Sequence, residues 1–328
     1  MESRKIGTHG LEAGAVGLGC MGMSEFYGAG DDEESIKVIH EAIERGSTLL
    51  DTADMYGIGK NEELVGKAIK GKRDSIVLAT KFGITRNAET GERGICGTPE
   101  YIKKACDASL KRLGVETIDL YYQHRKDPNV DIEESVGAMA ELVKAGKVRY
   151  LGLSEMGSET IKKAAKVHPI SALQTEYSLW TRDIEGGILD TCRELGISLV
   201  AYSPLGRGFL TGTFAKVEDF PEGDYRRFSP RFKEENIAEN YRMVEEFKKY
   251  AEELRHKPAQ LAIAWTLAKG KDILPIPGTK RLKYLLDNIG SAEINLTPEQ
   301  VAKMESIIDI NKVQGLRYPE EFMGTLNA

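Results

Sequence analysis

The 328-residue sequence predicts an α/β protein, a (β/α)8 barrel of the TIM type in a single domain. Three observations carry that expectation. Short apolar runs alternate with longer amphipathic stretches, the short runs number eight, and seven of them are followed by polar residues. The runs are 15–19, 48–50, 75–80, 118–121, 148–153, 170–173, 197–202 and 273–276. They lack polar alternation, as strands buried on both faces do in a parallel sheet.

The intervening stretches carry helical period. In 36–43, Ile36, Ile39 and Ile43 fall on one face. In 132–145 the same holds for Ile132, Val136, Met139, Leu142 and Val143. Thr98-Pro99-Glu100 and Thr297-Pro298-Glu299 each place a capping hydroxyl before a proline at the first helical position. Gly114, Gly146 and Gly196 follow helical stretches, where a left-handed residue ends a helix, and each precedes the next strand. A barrel needs about 250 residues. The surplus is assigned to an N-terminal cap (1–14), a long loop and helix after strand 7 (207–257), and a C-terminal helix and tail (297–328).

A Rossmann domain has one advocate, Gly17-Leu18-Gly19-Cys20-Met21-Gly22, which spells G-x-G-x-x-G. That fingerprint requires a helix opening at its third glycine and an acid ~20 residues on. Here residues 24–30 intervene, with Gly28 and Gly30 opposing a helix, and helical period begins only near Asp32. The residue twenty on from Gly22 is Ala42. The motif is therefore read as a loop whose glycines let backbone approach a ligand closely.

Composition narrows function. Lys and Arg total 45 against 51 Asp and Glu, a net charge of −6, which argues against a nucleic-acid partner. No apolar run approaches the ~18 residues of a membrane span. The start lacks the apolar core of a signal peptide, so a cytoplasmic location is expected. Cys20, Cys96, Cys106 and Cys192 form no C-x-x-C pair and read as reduced thiols. The five histidines form no H-E-x-x-H, and no metal site is expected.

Barrel chemistry gathers at the strand C-termini. Asp51, Lys81, His124, Ser154, Gln174, Tyr202-Ser203 and Gly278-Thr279-Lys280 follow strands 2 to 8. Tyr56 lies five residues beyond Asp51. A phenol near pKa ~10 is a poor acid or base at neutral pH, but an adjacent ammonium lowers that value and a carboxylate holds the ammonium. His124 offers a hydrogen bond to an oxygen gaining charge. The set suits proton delivery to a carbonyl oxygen.

Asp51–Gly57, Thr80–Gly83, Tyr122-Gln123-His124-Arg125, Gly152-Leu153-Ser154, Gln174–Ser178, Tyr202–Gly208 and Ile276–Lys280 resemble the motifs of aldo-keto reductases, in order, one per strand. The likeness covers nearly the whole chain. It is nearest the branch of perakine reductase, the auxin-induced-protein-like reductases and their bacterial relatives. The resemblance implies a barrel that binds NADPH/NADP+ and transfers hydride to an aldehyde or ketone. Carried over, Tyr56 is the general acid, Lys81 lowers its pKa, Asp51 pairs with Lys81, and His124 orients the carbonyl. Gly19, Cys20 and Met21 form the first-strand loop against the cofactor. Ser154 and Gln174 would hold the carboxamide, with Tyr202 stacked on the nicotinamide. Ser203, Pro204, Leu205, Gly206, Arg207 and Gly208, through Thr213, would cradle the pyrophosphate. Gly278, Thr279, Lys280, Asp287 and Asn288 would bind the adenosine end. Asp54 is read as structural.

Glu155 departs from the family, many members of which have asparagine there; a carboxylate can accept from the carboxamide NH2 but cannot donate to its oxygen. Thr279-Lys280-Arg281 and Lys283 should open a helix, a natural seat for a 2′-phosphate, which favours NADPH over NADH. Phe26, Tyr27, Met55, Ile84, Arg125 and Trp180 are expected pocket walls. The loop 207–236 is expected to act as a lid or clamp. The protein is expected to be a monomer or homo-oligomer acting on a small carbonyl compound. The sequence also admits two rival functions. One is a cofactor-binding regulatory subunit resembling potassium-channel β subunits. The other is a barrel glycosidase using Glu155 and Glu176.

Overall fold

The computed structural model describes every residue except Ala29 and Ala88. β1 (Ser3–Ile6) and β2 (Leu11–Gly14) pair as an antiparallel hairpin. The barrel begins with β3 (Leu18–Gly19), followed by α1 (Asp32–Glu44), β4 (Leu49–Asp51), α2 (Lys60–Ile69) and β5 (Val77–Phe82). A second hairpin, β6 (Ile84–Arg86) and β7 (Arg93–Ile95), precedes α3 (Pro99–Leu113) and β8 (Ile118–Gln123). Then come α4 (Ile132–Lys144), β9 (Val148–Ser154), α5 (Ser158–Val167), β10 (Ile170–Glu176), α6 (Ile188–Glu194) and β11 (Ser198–Tyr202). α7 (Glu234–Glu253), α8 (Pro258–Ala268), β12 (Ile273–Pro275), α9 (Leu282–Gly290), α10 (Pro298–Ile307) and α11 (Glu320–Met323) complete the chain.

The eight parallel strands run in the order β3-β4-β5-β8-β9-β10-β11-β12. The ring closes where Gly17 N donates to Pro275 O at 2.9 Å and Gly19 bridges to Gly278 in parallel register. A Cβ at Gly19 would lie 3.0 Å from the Ile276 carbonyl, a tight approach, so this seam favours glycine. The closed ring excludes the Rossmann reading, and an α-helix starts only at Asp32.

All eight expected runs contain barrel strands, with displaced ends. Strand pairing continues into the polar residues, through Asp51, Phe82, Gln123, Ser154 and Glu176, whereas an apolar run stops at the first polar side chain. The first run shrinks to two paired residues. Thr297 caps its helix through Gln300 N at 3.3 Å, whereas the Thr98 hydroxyl makes no capping bond; Pro99 alone sets that start.

Two apolar shells hold the barrel. Leu49, Val77, Leu120, Val200 and Leu274 fill its interior, and the N-terminal hairpin adds Ile6 and Leu11 to the same cluster. The hairpin plugs the N-terminal end of the ring: Gly7 N donates to Ser198 Oγ, the first residue of β11, at 2.9 Å. The outer shell packs Val38, Ile39, Val136, Met139, Ile161 and Leu261 of the helices against the strands. The opposite, C-terminal end is left for chemistry. The final residues return there, with Ala328 N donating to Glu155 O at 3.2 Å and Gly157 N to Ala328 O at 2.9 Å. No described helix is long and apolar enough to cross a membrane.

Candidate active site

β5 carries Lys81 into the barrel mouth with no solvent exposure. Its ammonium donates to Asp51 Oδ1 at 2.5 Å, to Thr52 O at 2.8 Å and to Tyr56 OH at 3.3 Å. An ammonium has three protons and accepts none. All three are spent, and since Lys81 donates to the phenol oxygen, the Tyr56 proton must point elsewhere, toward the cavity that Tyr56 lines. The His124 ring stands edge-on to Tyr56, 6.1 Å between centroids. The structure thus brings together the four residues expected from sequence.

Their charge states differ in one respect from expectation. Burial pushes the Tyr56 phenol above its ordinary value; Lys81 pulls it down but does not win. Tyr56 is therefore neutral and proton-bearing at neutral pH, as an acid must be. Burial would neutralise Lys81, but Asp51 and Tyr56 overrule it and hold the ammonium charged. Burial first, then Arg125 and Lys81, hold His124 well below the ordinary histidine range. Its Nδ1 is buried without a partner. A neutral imidazole protonated at Nε2 remains a hydrogen-bond donor.

A cavity of about 770 Å3 runs from this tetrad across the barrel mouth. Gly19, Met21, Ser154, Gln174, Tyr202, Ser203, Pro204, Leu205, Arg207, Gly208, Gly278, Thr279 and Lys280 line it as expected, as do Phe26, Tyr27, Met55, Ile84 and Arg125. Its features fit a dinucleotide. Gln174 Nε2 donates to Asp51 Oδ2 at 2.7 Å, which leaves the amide oxygen to accept from a carboxamide. The Tyr202 hydroxyl is turned to Glu155 at 2.8 Å, leaving its ring for stacking. At Gly208 (φ +87°) any side chain would be strained and would press on Arg226. Arg207, Arg226, Lys280 and Arg281 place cationic hydrogen-bond donors along the wall, and α9 starts without a side-chain cap at Arg281, its first amides available to an anion. The Lys280 ammonium donates to Tyr27 O at 2.8 Å and Gly28 O at 3.0 Å, tying this wall to the loop after β3. From the other side, Tyr225 N donates to Phe26 O at 3.3 Å, so the loop after β11 bridges the cavity.

Several expected contacts lie elsewhere. Glu155 is fully buried and does not line the cavity; one oxygen accepts from Thr175 Oγ1, Glu176 N, Tyr202 OH and Arg317 Nη2 at 2.8–3.0 Å. Glu176 is equally buried and bound to Arg207 at 3.1 Å. With both carboxylates locked away, the glycosidase reading loses its acid pair. Trp180 stacks on Phe209 at 4.7 Å, beneath the loop, and is not a wall of the large cavity. A Cβ at Gly206 would lie 2.6 Å from that indole, so this glycine serves packing. Cys20 is buried behind the wall, and burial pushes its thiol up to about 12. Asp287 pairs with Lys257 at 2.5 Å and Asn288 is buried; neither lines the cavity.

Sequence reasoning missed the tail. Tyr318, Pro319, Phe322 and Leu326 form one wall, and Arg93 of β7 and Arg226 two more points of it. The only sequence signals were the aromatic residues of an otherwise polar terminus and the Tyr225-Arg226 pair.

Asp54 Oδ1 is buried without a partner, and Tyr101 OH reaches Oδ2 only at 3.5 Å. Burial, with Glu62 adding to it, pushes this carboxyl up to about 8. A raised acid contributes its stability in full below the unfolded value of 3.8 and loses it as pH rises through about 8. Melting curves of Asp54→Asn and wild type should therefore coincide near pH 4 and diverge by pH 9, the variant melting higher by at least about 3 °C. Parallel curves would reject the assignment.

The aldo/keto reductase family model matches residues 15–309. The aldo-keto reductase yakc of Schizosaccharomyces pombe, whose name specifies NADP(+), is 47% identical over 322 residues, covering 97% of this chain and 94% of that protein. The glycerol dehydrogenase of Gluconobacter oxydans has a similar structure, with TM-score 0.85 and 29% identity over 93% of this chain and 94% of that one. An aldo-keto reductase from Bacillus halodurans, in its holo form, gives 0.79 and 28% over 94% and 97%.

Proposed function

This chain belongs to the aldo/keto reductase family and is an NADP-dependent oxidoreductase; from that premise we propose that it reduces aldehydes or ketones to alcohols, with Tyr56 as the proton donor. The balance is one carbonyl compound, one NADPH and one proton giving alcohol and NADP+. The observation that carries the proposal is the spent Lys81 ammonium, which leaves the Tyr56 proton facing the cavity beside His124. When bound, the cofactor supplies hydride to the carbonyl carbon. Tyr56 delivers the proton to the carbonyl oxygen, His124 donates a hydrogen bond to the same oxygen, and Lys81 offsets the charge left on the phenol. Asp51 holds Lys81 and, through Gln174, the carboxamide end of the cradle.

The test is NADPH oxidation against a panel of aldehydes and ketones at neutral pH. Turnover supports a reductase; binding of NADPH with no turnover on any carbonyl would favour the regulatory-subunit reading instead.

NADPH is preferred over NADH in this reading because Lys280, Arg281 and the open start of α9 converge at one end of the cavity. Lys280→Met is expected to weaken NADPH by about 10-fold or more and NADH by much less, consistent with a charge-assisted hydrogen bond. Dissociation constants for both cofactors measure this, and equal losses would sink it.

A further inference from the structure

We propose that the substrate carries a carboxylate as well as its carbonyl, and that Arg125 selects it; this deepens the reductase reading and rests on it. Arg125 follows His124 directly at the end of β8 and lines the cavity beside the tetrad. Its Nη1 donates to His124 O at 2.7 Å and to Ser154 Oγ at 3.3 Å, which anchors one edge of the guanidinium. The other nitrogens have no hydrogen-bond partner among the described residues, yet none is sealed in the interior; they open on the cavity.

The argument is one of charge. Three other arginines of this wall are neutralised: Arg207 by Glu176 at 3.1 Å, Arg226 by Asp224 at 2.8 Å, Arg281 by Glu34 at 2.6 Å. Lys81 is neutralised by Asp51 at 2.5 Å. Among the described residues no carboxylate lies within ion-pair distance of Arg125, whose side chain is partly buried. Arg93, likewise without an ion pair, stands exposed at the rim, where water serves it. A partly buried guanidinium with no ion-pair partner, held at the reacting centre and facing the cavity, is placed to meet an anion there. A guanidinium with a free edge matches a carboxylate bidentately. Burial first, and then Arg125 and Lys81, disfavour His124 as a cation, so the imidazole beside Arg125 does not add a second positive charge.

The probes are 4-oxobutanoate and 4-carboxybenzaldehyde, each against its methyl ester, which keeps the same reacting carbonyl. Wild type should prefer each acid over its ester by about 10-fold or more in kcat/KM, the difference lying mainly in KM. Arg125→Met should bring both ratios to about one, and Arg125→Lys should restore part of them. A wild-type ratio at or below one overturns the inference. So does a ratio that survives in Arg125→Met, which would assign Arg125 to the carboxamide through Ser154. Should no carbonyl be reduced, the reductase reading fails, and calorimetry on the NADP+-loaded protein still decides this one. Benzoate bound by wild type but not by Arg125→Met supports it, and benzoate bound equally by both, or by neither, overturns it.

Discussion

Tyr56→Phe is expected to lower the rate of carbonyl reduction by about 10²–10⁴-fold, the usual contribution of a positioned general acid, while the NADPH dissociation constant stays near wild type. The substitution removes one oxygen. The ring remains packed in its cluster with Ala53 and Met55, and Lys81 keeps Asp51 and Thr52 as partners. What is lost is the proton that Tyr56 delivers; His124 still donates a hydrogen bond but does not replace it. The pH profile tests the same assignment independently. Burial holds Tyr56 above the ordinary phenol value of 10.0 against the pull of Lys81. Reduction should therefore stay level through neutral pH and fall only in the alkaline range where Tyr56 ionises. Alcohol oxidation, which needs the phenolate, should rise toward that range. Near wild-type turnover by Tyr56→Phe, or a reduction profile falling already near pH 7, would remove Tyr56 from this role.

The barrel and its tetrad were legible because both depend on short-range rules. A strand buried on both faces shows as an apolar run, and a polar residue ending such a run is conspicuous. Asp51, Lys81 and His124 stand out in this way, and the motif match placed Tyr56 with them. The sign of the Tyr56 shift was not legible, since it turns on how completely the phenol is desolvated, which only the packed structure sets. Glu155 was misread for a related reason. Its backbone is left-handed (φ +53°), a conformation that asparagine adopts more readily than glutamate. What holds a glutamate there is Arg317, 162 residues further along the chain. Trp180 and Gly206 were misassigned because sequence places them beside the cofactor cradle without revealing that they pack on one another.

The tail wall depends on that same arginine, and Arg317→Met is expected to cost about 3–5 kcal/mol of stability, the range for breaking a buried ion pair from one side. Arg317 is 5% exposed and reaches Glu155 at 2.8 Å, Asp183 at 3.1 Å and Glu176 at 3.6 Å. Glu176 would keep Arg207, but Glu155 would retain only neutral donors, Thr175, Tyr202 and the Glu176 amide. A buried carboxylate with no cation is the source of the cost. Asp183 provides the control: its side chain is 42% exposed, so Asp183→Asn should change stability by less than about 1 kcal/mol. The acid limb adds a signed test. Burial pushes Glu176 up, but Arg207, Arg317 and Arg231 overrule it and hold it at about 2. A lowered acid contributes in full above its unfolded value of 4.5 and loses that contribution as pH falls through about 2. Without Arg317 the folded value rises and acid unfolding should begin at higher pH. The residues beyond Arg317 include Tyr318, Phe322 and Leu326 of the cavity wall, so loosening them should also raise KM more than it lowers kcat. Denaturant titrations from pH 3 to 8, with limited proteolysis of the last residues, read all of this. A variant as stable and as protected as Asp183→Asn would show that the ion cluster does not hold the wall in place.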